Sequence, residues 1–152
     1  GMVVIKSEGN PSGHIILRGG TLPNYHQSDV MDATECLARQ GLNPRLMVDC
    51  SHGNSQKLHQ NQLRVAGELC RQLRGGSNTI AAVMVESFLQ GGSQKPAPLS
   101  ELQYGLSVTD ACLGWEESET LLAMLADGVM ARRQFAHSRS IPLRNDLGQP
   151  VS

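Results

Sequence analysis

The sequence RLMVDCSHGNS at residues 45–55 joins a continuous apolar run to a loop of small polar residues. An apolar run without polar alternation is typical of a strand in a parallel sheet that is covered on both faces. Beyond the loop, a helix is predicted up to the glycine pair at residues 75–76. Its apolar positions keep helical spacing: Leu63, Ala66, Leu69, Cys70 and Leu73. The stretch therefore predicts a strand, a loop and a helix in succession.

The same unit recurs on both sides of this stretch. Upstream, residues 14–18 (HIILR) predict a buried strand, and a helix is predicted over residues 28–40. Downstream, residues 79–86 (TIAAVMVE) predict a third strand. A loop rich in glycine and proline follows it, and a helix is predicted over residues 118–133. Three such units in succession indicate an α/β fold with a parallel sheet.

The two ends of the chain do not follow this pattern. Residues 3–6 (VVIK) predict a short N-terminal β-arm, since a cluster of turn residues closes the run. Residues 134–152 lose the helical periodicity and predict an extended or disordered tail. The predicted organisation is one α/β domain over residues 2–133 followed by that tail.

Composition excludes several classes of partner. The chain has 152 residues, enough for one domain, and a formal net charge of −1. A chain with this net charge lacks the broad positive surface that binding to nucleic acids or anionic membranes usually requires. The apolar runs are too short to span a membrane, and no signal peptide opens the chain. Four cysteines without a Cys-x-x-Cys pair indicate a reducing compartment, so the protein is expected to be cytoplasmic.

Four polar residues stand where the predicted strands end. Arg18 closes the first strand, His52 follows the second, and Glu86 closes the third. Asp110 lies in the loop before the last helix. Functional residues collect at the carboxyl edge of parallel sheets. One imidazole and two carboxylates suit Mn²⁺, Fe²⁺ or Zn²⁺, and an arginine beside them suits a carboxylate or phosphate.

Each of these residues also has an ordinary structural explanation. A glutamate at a strand end is more often a salt-bridge or capping partner, and a loop histidine is more often not a ligand. The other sites in the sequence are weaker. The glycine pairs lack the Gly-Lys-Ser/Thr ending of a phosphate loop. Three further histidines are predicted to be solvated surface residues: His26, His59 and His137.

Four motifs, in this order, resemble the carboxy-terminal half of class I 3-deoxy-D-arabino-heptulosonate 7-phosphate (DAHP) synthases. They are HIILRGG at 14–20, LMVDCSHGNSQK at 46–57, VMVES at 83–87 and YGLSVTDACLGW at 104–115. The resemblance implies a metal-bearing (β/α)₈ barrel that condenses phosphoenolpyruvate with erythrose 4-phosphate in the shikimate pathway. A whole barrel takes about 250 residues. The chain is therefore expected to hold only the last three of eight βα units.

The resemblance also assigns roles to residues. It implies that His52, Glu86 and Asp110 are three of the four metal ligands, and that Arg18 holds phosphoenolpyruvate. The fourth ligand of the family, a cysteine on the first barrel strand, has no counterpart here, nor do the phosphate-binding residues of the family's earlier strands. A weak or partial divalent metal site is therefore expected.

Two positions depart from the family pattern. Cys50 stands where the family commonly has phenylalanine, so it is not a substitute for the missing ligand. Phe88 stands where the family usually has histidine, which removes a polar group beside the metal.

Two functions of different class remain open from the sequence. The chain is either half of an enzyme, inactive until a separately encoded N-terminal half completes it, or a catalytically dead remnant that binds metal or anions as an oligomer. Three parallel strands leave open edges and an uncovered apolar face. A homodimer or higher oligomer is therefore expected. The family resemblance further implies that small phosphorylated molecules are the substrates.

Overall fold

The computed structural model of the chain describes residues 3–10 and 12–140. A parallel sheet in the order β1-β2-β3 carries three helices that alternate with its strands. The elements are β1 (Ile16–Leu17), α1 (Gln27–Arg39), β2 (Leu46–Asp49), α2 (Asn61–Arg74), β3 (Ile80–Met84) and α3 (Trp115–Ser140). A 3₁₀ helix, Leu99–Glu101, lies in the loop before α3. The predicted α/β class is confirmed.

One face of the sheet forms the hydrophobic core. Leu17 pairs with Val48, and Val48 pairs with Val83, so these side chains share a face. Val48 is fully buried there, against Val65 and Leu69 of α2 in the same cluster. Helix α2 also packs along α3. Burial of this face positions the strand ends at which the polar residues lie.

The opposite face of the sheet is open. Ile16 pairs with Met47, which pairs with Ala82, so these residues alternate with the buried set. The side chain of Ile16 is 48% exposed although it belongs to a strand. Met47 and Ala82 are half-buried. The chain thus presents an apolar sheet face, which we call the open face, defined by Ile16, Met47 and Ala82.

The predicted N-terminal β-arm is wrong. Residues 3–10 form no strand, and Val3, Val4 and Ile5 are each more than 80% exposed. An extended run becomes a strand only when a neighbour supplies backbone hydrogen bonds. Among the described residues β1 pairs only with β2, and residues 3–6 have no partner strand there.

The predicted start of the C-terminal tail is also wrong. Helix α3 continues to Ser140, so residues 134–140 are helical rather than extended. Around residue 135 the helix still touches the body of the protein, because the Phe135 ring lies over Gly76. The remainder of the predicted tail, residues 141–152, lies outside the described residues. Within the described part of the chain, none of the helices combines the length and apolarity that crossing a membrane requires.

Strand and helix limits differ from the sequence prediction by a few residues. Strand β3 ends at Met84 rather than at Glu86, since the Glu86 backbone bonds to the Gln62 side chain and to the Leu113 N–H instead of to a strand. Helix α1 begins at Gln27, and the Asp29 carboxylate accepts the His26 N–H at 3.0 Å. Glu86 therefore lies beyond its strand, as His52 does.

A buried asparagine joins the ends of β1 and β2. The Asn54 amide donates to the carbonyls of Leu17 at 3.0 Å and Asp49 at 2.8 Å, and its Oδ1 accepts the Asn24 N–H at 2.8 Å. The two loops approach so closely here that a Cβ on Gly19 or on Gly53 would lie 2.6 Å from the other loop's backbone. Glycine at both positions permits this contact.

We expect Asn54→Ala to destabilise the protein by roughly 3 kcal/mol, because two carbonyls and one N–H lose their buried partner. Urea unfolding followed by circular dichroism measures this change. Asn78→Ala, at an exposed position, is the control and is expected to change stability by less than about 0.5 kcal/mol. Equal stabilities of the two variants would contradict this account of Asn54.

Candidate metal and anion site

The four predicted residues meet at the carboxyl ends of the strands. A cavity of about 260 Å³ opens there. It is lined by Arg18, Ser51, His52, Lys57, Glu86, Asp110 and Ala111. Arg18 and Asp110 thus share one cavity although they are 92 positions apart in the sequence. The convergence that parallel topology predicts is present in the structure.

His52 is held in a fixed orientation by Asp49. Its Nδ1 lies 2.8 Å from Asp49 Oδ2, and since a carboxylate only accepts, Nδ1 carries the proton. The other oxygen, Asp49 Oδ1, accepts the Ser51 N–H at 2.7 Å. The other ring nitrogen, Nε2, faces the cavity carboxylates and is the nitrogen with a free lone pair when the ring is neutral. Metal-binding histidines commonly have such a carboxylate partner.

Glu86 is positioned by both its side chain and its backbone. The Ser51 hydroxyl donates to Glu86 Oε2 at 2.6 Å, which leaves Oε1 facing His52 Nε2 at 3.7 Å. The fully buried Gln62 amide accepts the Glu86 N–H at 2.9 Å and donates to the Glu86 carbonyl at 3.0 Å. Helix α2 therefore fixes the segment that carries this carboxylate.

Asp110 reaches the site from the long loop between β3 and α3. The loop is tied back to the end of β3, because the Leu113 N–H donates to the Glu86 carbonyl at 2.9 Å and the Phe88 N–H donates to the Leu113 carbonyl at 2.9 Å. Asp110 Oδ2 lies 3.8 Å from His52 Nε2. Its side chain is 69% exposed, so it is the least enclosed of the three groups.

The three donor groups fit a divalent metal ion. One ligand atom from each of His52, Glu86 and Asp110 lies within 4.8 Å of the other two. An ion with bonds of about 2.0–2.2 Å holds its ligands roughly 3–4 Å apart. His52 Nε2 lies 3.7 Å from Glu86 Oε1 and 3.8 Å from Asp110 Oδ2, which is within that range. Two carboxylates beside one neutral imidazole also favour a cation between them. In residues 3–10 and 12–140, these three residues are the cluster with that geometry.

Cys50 does not belong to the cluster. Its side chain is fully buried in the hydrophobic core, and burial, with the nearby Asp49 charge, raises the pKa of its thiol to about 12. A cysteine binds metal as the thiolate, which this environment opposes. Phe88 lines a neighbouring apolar groove together with Leu89 and Trp115.

Sequence reasoning missed the residues that support the site. Lys57 lines the cavity, Asp49 and Ser51 orient His52 and Glu86, and Gln62 fixes the Glu86 backbone. Asp49 and Ser51 lie within three residues of His52 in the sequence. This proximity was a usable signal. Gln62 carried no such signal, because its role depends on how α2 packs.

The fold and the cavity define a class of protein: a parallel α/β protein with a mixed nitrogen and oxygen site, and cations beside it, at the carboxyl edge of its sheet. The comparison with protein families is more specific. Residues 2–123 match the model of the DAHP synthetase I family, and the chain belongs to that family.

Individual relatives agree with the family assignment. The chain is 50% identical over 131 residues to the Trp-sensitive phospho-2-dehydro-3-deoxyheptonate aldolase of Enterobacter agglomerans, and 49% identical to that of Escherichia coli K12. Each match covers 86% of this chain and 38% of the relative. The chain therefore spans well under half the length of these relatives.

A solved structure agrees as well. The chain is similar to the phospho-2-dehydro-3-deoxyheptonate aldolase of Francisella tularensis SCHU S4, with a TM-score of 0.78 and 44% identity. The similarity covers 84% of this chain and 37% of that one. The chain thus has the fold of the corresponding part of a larger protein.

We expect the chain to bind Mn²⁺ or Zn²⁺, with lower affinity than a four-ligand site, and His52→Ala to weaken binding at least about 100-fold by removing the only nitrogen ligand of the cluster. Isothermal calorimetry measures both affinities. His14→Ala, at an exposed position before β1, is the matched control and is expected to bind as the unaltered chain does. Negligible heats for all three proteins would refute the metal site.

Proposed function

We propose that the chain supplies the metal-binding and part of the anion-binding machinery of a DAHP synthase. The reaction joins phosphoenolpyruvate to erythrose 4-phosphate. The observation that supports this most directly is the convergence of His52, Glu86 and Asp110 beside Arg18 in one cavity. Belonging to the DAHP synthetase I family supplies the reaction class.

In this proposal each residue has a defined task. His52 presents Nε2, and Glu86 and Asp110 present carboxylate oxygens, to one divalent ion, either Mn²⁺, Fe²⁺ or Zn²⁺. When bound, that ion supplies Lewis acidity and orientation for the carbonyl of erythrose 4-phosphate. Arg18 binds an anionic group of phosphoenolpyruvate through its planar guanidinium group, which places the enol carbon for attack.

The three-stranded sheet, in this proposal, is the last part of a (β/α)₈ barrel. The chain covers 38% of its relatives' length, and in this proposal the other strands of the barrel lie outside residues 1–152. Three ligands and few cations do not position two phosphorylated substrates, and a complementary N-terminal half is required for turnover. The four free cysteines support the predicted cytoplasmic location of such an enzyme.

We expect the chain alone to form no measurable DAHP, because the rest of the barrel and its phosphate-binding residues are missing. Activity is expected when the chain is mixed with the N-terminal segment of the Escherichia coli Trp-sensitive relative, cut where the match with this chain begins. His52→Ala in the mixture is the control, and it is expected to abolish turnover. DAHP formation by a preparation that mass spectrometry shows to hold this chain only would overturn the proposed dependence.

A second candidate function is an oligomeric metal- or anion-binding module without catalysis. The open face favours it as a property of the chain alone, since Ile16 is 48% exposed. Each 100 Å² of apolar surface left in water costs about 2.5 kcal/mol, which is a sizeable fraction of the stability of a domain. Without the complementary half, a second copy is therefore proposed to cover this face.

We expect the isolated chain to be a dimer or higher oligomer at micromolar concentration, measured by light scattering coupled to size exclusion. Ile16→Lys places a charge on the open face and is expected to dissociate the oligomer. Met31→Lys, on the exposed side of α1, is expected to leave it unchanged. A stable, cooperatively folded monomer of the unaltered chain would rule out this assembly.

A further inference from the structure

Lys57 is a second cation in the cavity, besides Arg18. In the described part of the chain, neither of these cations forms an ion pair. Glu86 and Asp110 face His52 instead. The positive charges of Arg18 and Lys57 are therefore available to an anionic ligand that enters the cavity.

The backbone holds Lys57 beside the metal-site histidine. The Lys57 N–H donates to the His52 carbonyl at 3.0 Å, and the Gln56 N–H donates to the Gly53 carbonyl at 3.2 Å. Buried Asn54 and Ser55 anchor the turn from inside the protein. The loop that presents His52 to the cavity thus also sets the backbone position from which the Lys57 side chain extends.

This loop adopts an unfavourable backbone conformation at side-chain-bearing residues. The φ angles of His52, Gln56 and Lys57 are 47°, 54° and 61°, all in the left-handed region. Residues other than glycine pay a steric penalty there, and such residues concentrate at functional sites. A glycine at position 57 would adopt the same φ without the penalty but would carry no charge.

The charges around the cavity sum to a positive value once a metal ion is bound. The carboxylates of Glu86 and Asp110 offset the cations of Arg18 and Lys57. A divalent ion then gives the lining two positive charges, and the Asp49 carboxylate behind His52 reduces the sum to one. A net positive site favours a phosphate ester over a neutral sugar.

We propose that Lys57 and Arg18 together bind the oxyanion of a phosphorylated substrate, of the phosphoenolpyruvate type. The assignment of this substrate rests on the proposed function, whereas the pairing of the two cations rests on the cavity itself. Arg18 offers a planar fork of donors and Lys57 a compact charge on a flexible stem. Two cations on two different loops hold the anion in position and also compensate its charge.

The test is calorimetric titration of the full chain with phosphoenolpyruvate, and separately with inorganic phosphate, at low ionic strength. Lys57→Met and Lys57→Gly are expected to weaken phosphoenolpyruvate binding about tenfold, as loss of one charge-assisted contact does. Lys57→Arg is expected to bind within about twofold of the unaltered chain, because it keeps the charge. Lys95→Met, in the exposed part of the long loop, is the matched control and is expected to bind as the unaltered chain does.

Two further measurements separate anion binding from a structural role. Lys57→Gly is expected to unfold at an equal or higher urea concentration than the unaltered chain, since it relieves the left-handed φ. Lys57→Met is expected to bind Mn²⁺ as well as or better than the unaltered chain, because one cation no longer repels the ion. An unchanged phosphoenolpyruvate affinity in Lys57→Met, or an equal loss of Mn²⁺ and phosphoenolpyruvate binding, would overturn the proposal.

The outcome for Lys57 is distinguishable from that for the proposed function. If no variant and no unaltered chain binds Mn²⁺, the proposed metal role fails, while a weakened anion affinity in Lys57→Met still supports the anion pair. Inorganic phosphate that loses affinity in parallel with phosphoenolpyruvate supports recognition of the phosphate group. Phosphate binding that does not depend on Lys57, together with phosphoenolpyruvate binding that does, supports recognition of the carboxylate.

Discussion

The position of the site depends on the side chain of Asn54. This fully buried amide donates to the last residue of β1 and the last residue of β2, and its backbone N–H donates to the Arg18 carbonyl at 3.2 Å. Arg18 and His52 stand on the two loops that it joins. A buried amide with all its hydrogen bonds made is costly to displace, because each lost partner leaves a desolvated polar group. The Arg18 side and the His52 side of the cavity are therefore held at a fixed separation.

A second group of hydrogen bonds orients the side chains of His52 and Glu86 toward the cavity. Asp49 keeps the proton of His52 on Nδ1, and Ser51 occupies one oxygen of Glu86. His52 and Glu86 thus each have one side-chain atom held by a hydrogen bond and one atom left for the cavity. The buried charge of Asp49 is compensated by donors on both of its oxygens, the Ser51 N–H and the His52 ring. Preorganised ligands lose less conformational entropy when an ion binds.

The long loop before α3 shows where sequence reasoning worked and where it did not. Its glycines and prolines indicated irregular structure, and the order of motifs placed Asp110 near the strand ends. The backbone hydrogen bonds between Leu113 and the segment of Glu86 and Phe88 were not predictable, because they join residues far apart through main-chain groups that every sequence has. The β-arm at residues 3–6 failed for the opposite reason. Its side chains favour a strand, but strand formation depends on a neighbour.

The sequence by itself determined the α/β class, the order of its elements, the three residues that the metal proposal uses and, of the two cations in the anion proposal, Arg18. Hydrophobic periodicity and polar strand ends are local properties, and parallel topology brings such ends to one edge. Only the tertiary structure decided which residues support the site. Asn54, Gln62 and Lys57 acquire their roles from close approaches between segments that are separate in sequence. Such contacts depend on how separate segments pack in three dimensions, so a local pattern along the chain does not predict them.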